Sequence, residues 1–330
     1  MSILQGIGNT WNLPNYAGEL FTASAVNTPL LSMIGGMNGG VITRNFEFPT
    51  AQLFDFPEAE QPGISENQSV IAPPPRHLVR RQLTNVVQIH QQTIDLTYHR
   101  LANSGRMQGL NTAGHTPNPL DELYWQIENS LLIPAARNIE FSFIQGSFNR
   151  AAQGDEANRT RGMLEVCHNG GIAINAEGKS LTFELLQDLY RQMADNGAYF
   201  NNMVMFVGAK LKQEITMLYA KLPGGNLPST RKVGGINITD ILTDFCNVQV
   251  VWNRFMPDDA VLLCDISYMN PVFMETPGKG IFFVEELAAV GASERRMLYG
   301  EVGLDHGPAF MHGCITAISG SVRSAKAVKL

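Results

Sequence analysis

NPLDELYWQIENSLLIPAARNIEFSFIQG, residues Asn118 to Gly146, carries apolar or small side chains every three or four places: Leu120, Leu123, Ile127, Leu131, Ala135, Ile139 and Phe143. That spacing lines one face of a helix with a continuous hydrophobic stripe, so the stretch is expected to be a buried spine for the rest of the chain. Its start is marked by Asn118 as a cap, Pro119 where a missing amide costs nothing, and Asp121 and Glu122 against the N-terminal dipole. Gly146 marks the stop. At 1.5 Å per residue the helix would run roughly 40 Å. Pro134 removes an interior hydrogen bond, which predicts a kink or two helices in line.

Working outward, residues 1–45 hold a cluster of glycines, an NTPLLSMIG segment and little periodicity. Trp11, Leu30, Leu31, Met33 and Ile34 nevertheless need cover, which predicts an arm docked on a neighbouring surface. From Phe46 to Tyr98 the pattern is β: NFEFPTAQLF, a Glu/Pro/Gly-rich loop, the breaker Pro73 to Pro75, then LVRRQLTNVVQIHQQTIDLTY. The last run has no breaker from Leu78 to Thr97. As one strand it would exceed about 50 Å, so the hairpin is expected to project and find partners elsewhere. Its first limb and tip carry Asp55, Glu58, Glu60 and Glu66, and its second limb carries Arg76, Arg80 and Arg81. Complementary charge on a projecting element makes these seven residues candidates for intersubunit contact, against the plain reading of a solvated face.

Beyond the helix, MLEVCHNGGIAINAEG is read as short strands about a Gly-Gly turn. LTFELLQDLYRQMADNG is an amphipathic helix capped by Thr182, NMVMFVG a buried strand and AKLKQEITMLYAK a second helix. INITDILTDFCNVQVVWNRFMPDDAVLLCD closes this α/β unit with short β runs. GIFFVEELA, RRMLYGEVGL and FMHGCITAIS read as strands, and SVRSAKAVKL as a basic tail.

Composition narrows the function classes. Only 16% of residues are charged, against about 25% in an average soluble domain. Charge-depleted surfaces are what subunit interfaces require, because burying an unpaired charge is costly. A net charge of -6 argues against a reader that grips phosphates with a basic stripe. No run approaches a membrane span, and MSILQGIGNT lacks the pattern of a signal peptide, so a soluble chain is expected. Cys167, Cys246, Cys264 and Cys314 show no CxxC spacing, which predicts reduced thiols without a metal.

Catalytic constellations are weak. Cys167 beside His168 would point to opposite faces of a strand. Asp305, His306 and His312 match no zinc spacing, and LPGGN and VGG match no phosphate-binding loop. No cofactor is expected.

Six segments, in this order, carry a resemblance: AVNTPLLSMIG, FEF, NVVQI, ELYWQIENSLL, ITDILTDFCNVQVVWNRFMPDDAVLLCD and LYGEVGL. Together they resemble the major capsid proteins of tailed bacteriophages with the HK97-type fold, in the branch of the phage SU10 major capsid protein, over nearly the whole chain. The resemblance implies an α+β fold with an N-terminal arm (1–45) and an extended β-hairpin loop (46–98). It implies a peripheral domain (99–180, spine 118–146), an axial domain (181–267), a return to the peripheral domain (268–304), and a final strand with a tail (305–330). It implies an icosahedral shell of hexamers and pentamers, assembled in the host cytoplasm and found in the virion. The implied partners are the chain itself, a portal, scaffolding or decoration proteins, and packaged double-stranded DNA without sequence-specific contact, with no membrane and no catalysis. An encapsulin-like compartment with a cargo-binding pocket, or an α/β enzyme with scattered active-site residues, are the alternatives. Some shells of this fold are locked by isopeptide bonds from a loop lysine. Here no lysine occurs from Met1 to Gly178.

Overall fold

The computed structural model describes residues 28–38, 40–55, 61, 63–71, 79–102, 123, 126–220, 229–233 and 236–319; of 51–55 and 79–81 it describes the backbone alone. The chain begins with helix α1 (Pro29–Asn38), followed by β1 (Val41–Thr43), β2 (Glu47–Asp55), the one-turn helix α2 (Glu66–Ser69), β3 (Val79–Val86), β4 (Gln88–Thr97) and the short α3 (Tyr98–Ala102). The spine consists of a π-helical stretch, Ile127–Leu132, that leads without a break into α4 (Ile133–Gln145). After it come α5 (Met163–His168), β5 (Ile172–Asn175), α6 (Phe183–Asp195), β6 (Met203–Val207) and α7 (Ala209–Ala220). The remaining strands are β7 (Ser229–Val233), β8 (Ile236–Leu242), β9 (Asn247–Trp252), β10 (Val261–Asp265), β11 (Asn270–Met274), β12 (Phe282–Leu287), β13 (Ser293–Asp305) and β14 (Gly313–Thr316).

The spine buries the stripe read from the sequence: Ile127, Leu131, Ala135, Ile139 and Phe143 are all at most 4% exposed, and Leu123 packs against the same cluster. Leu120 and the cap at Asn118 lie outside the described residues. Pro134 falls in the first turn of α4, so the spine is two helical segments in line, one of the two outcomes expected of the proline. The winding loosens ahead of it, with Ile133 N donating to Glu128 O, an i to i−5 bond. The proline leaves the Ser130 carbonyl without its α-helical donor. With its amide nitrogen facing the helix, Gln92 on β4 donates to the Ser130 and Leu131 carbonyls (3.2 Å each), and its oxygen accepts from Asn138 Nδ2 (3.2 Å). A strand side chain thus supplies the hydrogen bond that the proline cannot.

Two sheets flank the spine. In the first, β13 pairs with β11, β12 and β4, and β1 lies parallel to β11. Along β4, His90, Gln92, Ile94 and Leu96 alternate with the exposed Ile89, Gln91, Thr93 and Asp95, the period-two signature of a sheet covered on one face. The unbroken run from Leu78 to Thr97 is therefore not one strand. It divides at Val87, whose N still donates to Phe46 O (2.9 Å): β3 belongs to a two-stranded ribbon with β2, and β4 finds its partner β13 within its own chain.

The second sheet has the order β5-β14-β10-β6-β9-β8-β7. Its central strands β6 and β10 are buried at every position, as strands covered on both faces must be. Val204 and Phe206 face the spine cluster, while Met203, Met205 and Val207 face a second core with Leu186, Leu189, Tyr190, Leu211 and Ile215 of α6 and α7. Thr182 caps α6 as expected, accepting from Leu185 N. One expectation fails here: MLEVCH is a helix. IAIN is a strand as read, at the edge of this sheet and parallel to β14. Among the described residues no helix is long and apolar enough to cross a membrane.

Candidate assembly interface

The ribbon β2–β3 runs antiparallel from Glu47↔Val86 to Asp55↔Val79, with an irregularity between Pro49 and Ala51. An isolated two-stranded ribbon is marginal in water, so its root must be held and its length must find partners. The root is held by Asn85, which is fully buried. Its Nδ2 donates to Leu304 O (2.8 Å) and Arg161 O (3.4 Å), and its Oδ1 accepts from Val86 N (2.9 Å) and Arg161 N (2.8 Å). All four bonding positions of the amide are used. Thr160 Oγ1 accepts from Leu304 N (3.2 Å), and Arg150 pairs with Glu47 (2.8 Å).

Packing completes the clamp and explains two of the quoted motifs. Phe48, from FEF, lies against Gly303, from LYGEVGL; a Cβ at Gly303 would stand 2.7 Å from the Phe48 ring and 2.7 Å from Val86 O. A Cβ at Gly300 of the same motif would stand 2.3 Å from the Phe282 ring. Only glycine admits both rings so close to β13.

Between β2 and β3 every described residue, 61 and 63–71, is exposed. In α2, Ser65 and Gln68 form a capping box, and no residue of the helix is buried. Around it Ile64, Val70 and Ile71 are 61%, 85% and 76% exposed. Ile64, Val70 and Ile71 thus give the stretch between β2 and β3 exposed apolar surface.

Of the contact candidates, Glu66 is exposed in the first turn of α2. Arg80 and Arg81 lie on β3 opposite Phe54 and Leu53, and Asp55 pairs with Val79. Glu58, Glu60 and Arg76 lie outside the described residues.

A second anchor went unread in the sequence. Glu140 of the spine is fully buried and accepts from Leu30 N (2.9 Å), Leu31 N (2.7 Å) and Asn253 Nδ2. A carboxylate there satisfies the orphan amides at the start of α1 and complements its dipole. Leu30, Leu31 and Ile34 are buried in the spine's own cluster, so this part of the arm finds its cover within its own chain. Trp11 lies outside the described residues. Burial pushes the Glu140 carboxyl up to about 7, against the lowering effect of the three donors.

Of the residues weighed for chemistry, Cys167, His306 and His312 are buried. Cys167 is buried on α5 among Cys264 and Cys314, with its thiol pushed up by the contact with Cys314 and by burial, and His168 beside it is exposed. His312 Nε2 donates to His306 O (2.6 Å) and His306 Nδ1 to Gly307 O (2.7 Å). Burial lowers them to about 4 and about 3, so both rings are neutral at pH 7. Among the described residues no group of three or more His, Cys, Asp or Glu could hold a metal.

The fold matches solved shells. The capsid of cyanophage A-1(L) superposes with a TM-score of 0.60 at 10% identity over 96% of each chain. The capsid of a native GTA particle gives 0.56 at 14%, over 88% of this chain and 91% of that one. The holo-SrpI encapsulin complex from Synechococcus elongatus PCC 7942 gives 0.51 at 12%, over 87% and 89%. At these identities the likeness shows the fold, which is HK97-like. No curated protein matches the sequence. The model of the SU10 major capsid protein family matches residues 3–319. With a ribbon clamped at its root and a family match over nearly its whole length, the chain is a structural shell protein and belongs to the SU10 major capsid protein family.

Proposed function

We propose that the chain assembles as hexamers and pentamers into an icosahedral shell around double-stranded DNA, in the host cytoplasm, without catalysis. The observation that carries this reading is the ribbon β2–β3, tied to its own subunit at Asn85 and Phe48 but ending in uncovered Ile64, Val70 and Ile71. In this reading the ribbon with its tip is the extended loop, α1 the root of the N-terminal arm, the β13 sheet with the spine the peripheral domain, and the seven-stranded sheet the axial domain. A portal, with scaffolding or decoration proteins, completes the particle. The likeness to the Synechococcus elongatus encapsulin complex favours a protein compartment as the second reading; a bound cargo peptide would decide for it.

Asp55, Glu58, Glu60, Glu66, Arg76, Arg80 and Arg81 are the proposed intersubunit contacts. Substituting Arg80→Glu and Arg81→Glu together is expected to leave the subunit folded and to cut the yield of shells about tenfold or more, since rim charges steer and register docking. Circular dichroism and particle counting by electron microscopy read the two effects separately. Normal shells from the double variant would remove the loop from the interface.

The same reading has a covalent consequence. With no lysine before Lys179, the loop cannot supply an amine nucleophile, and cohesion rests on buried area, the clamped arm and ion pairs. Particles boiled in reducing detergent are expected to run as one band near 36.3 kDa. A persistent ladder of multimers would contradict this.

A further inference from the structure

The last described residues fix where the C-terminal segment leaves the fold. After β14, Ile318 N donates to Asp259 O (3.0 Å) and Ser319 N to Lys179 O (2.8 Å). Lys179 is close in sequence to Thr182, the cap of α6 and one end of a groove of about 680 Å³. Leu185 and Phe245 line the groove with apolar surface, and Glu184, Asp188 and Asp244 outweigh its one cation, Arg191, to leave it acidic. Phe245 is 46% exposed and is held in place by stacking on Phe200, with ring centroids 5.8 Å apart. Asp188 is paired with Arg191, whereas the exposed Glu184 and Asp244 have no ion pair among the described residues.

The segment that follows Ser319, GSVRSAKAVKL, is the chemical complement of this groove. Arg323, Lys326 and Lys329 recur every third residue, Val322, Ala325 and Val328 recur in step with them, and there is no acid. A three-residue period puts the basic and the apolar side chains on separate sides of a polyproline-like segment. Residues 320–330 can reach about 35 Å, and they start beside the groove.

We propose that residues 320–330 dock along this groove of their own chain, with Val322, Ala325 and Val328 on Leu185 and Phe245 and the three basic side chains facing Glu184, Asp188 and Asp244. Tethering supplies an effective concentration of order millimolar, so a weak contact suffices. The tail then covers the exposed Phe245, and its positive charge is held by the protein rather than offered to nucleic acid. The inference does not depend on shell assembly.

Trypsin cuts after Arg323, Lys326 and Lys329, which makes docking measurable in the full-length chain by mass spectrometry of the clipped product. At low salt, clipping at Arg323 is expected to be slow. Glu184→Gln with Asp244→Asn, or Phe245→Ala alone, is expected to speed it about tenfold, equivalent to about 1.4 kcal/mol. Salt of about 0.5 M should do the same by screening the pairs. All three side chains are exposed, so circular dichroism should be unchanged. Equal clipping in the wild type and both variants would overturn the proposal. Protection that falls on dilution would place the tail on a second copy, and protection gained only with duplex DNA would assign it to nucleic acid; either result overturns docking on the same chain.

Discussion

Ile127→Asp is expected to convert the chain into insoluble protein. The side chain is 4% exposed and sits in the cluster that joins the spine to α1, β13 and the seven-stranded sheet. The substitution removes an apolar burial of about 2 kcal/mol and forces a carboxylate, or its neutral acid, into a site with no partner. That adds several kcal/mol, and the sum approaches the 5 to 15 kcal/mol that stabilises a typical domain. Ile127→Val, which keeps the surface apolar, should cost only about 1 kcal/mol and leave soluble protein. Solubility after expression, followed by urea unfolding of whatever is soluble, separates the two. Soluble, well-folded Asp variant would show that the stripe does not face the core.

Glu140→Ala has the second large effect, through a different cause. It leaves Leu30 N, Leu31 N and Asn253 Nδ2 buried with no acceptor. At about 1 to 3 kcal/mol per orphaned group, a loss of roughly 4 kcal/mol is expected, concentrated where α1 meets the spine. Residues 1–38 should therefore become accessible to protease before the rest of the chain.

A pH signature identifies the carboxyl itself. Its folded value, about 7, lies above the ordinary 4.5, so between these values the native state holds a proton that the unfolded chain has released. The stabilisation is complete below about pH 4.5 and is lost as pH rises through about 7, by roughly 3 kcal/mol in all. The gap between wild type and Glu140→Ala should accordingly narrow from about pH 5 to about pH 8, as read by urea midpoints. A gap that stays constant or widens would mean that Glu140 is not the buried acid described.

The contrast between these residues shows what a sequence makes legible. The spine could be read because its stripe is local: positions three and four apart on one helix meet the same core. Glu140 could not, because its partners lie 109 to 113 residues away and a single acid beside an apolar stripe looks like a solvated flank. The consequence of Pro134 was hidden likewise, since the donor that relieves it, Gln92, comes from a different element. The Leu78–Thr97 run carries no Gly or Pro at its break. The run changes partners at Val87, which stays buried with Phe48 and Val272, a tertiary event with no local signature. MLEVCH is too short for periodicity to separate helix from strand. The glycines of LYGEVGL were visible as a motif, but only the rings of Phe48 and Phe282 give them a reason.

The hairpin is read from an over-long β run, and that run divides into a ribbon strand and a sheet strand of the same chain. An over-long β segment with charged limbs implied projection, and the structure adds the Asn85 clamp at one end and the uncovered Ile64, Val70 and Ile71 at the other. An exposed apolar end is a physical argument for a partner, and in the proposed reading that partner is another copy of the chain.

Electron microscopy of the purified chain tests this most directly. The account predicts closed shells, or rings of five and six copies, whose density shows the Glu47–Asp55 and Val79–Val86 ribbon lying on an adjacent subunit. A homogeneous population of monomers at assembly concentrations, with the ribbon tip bare in solvent, would contradict it.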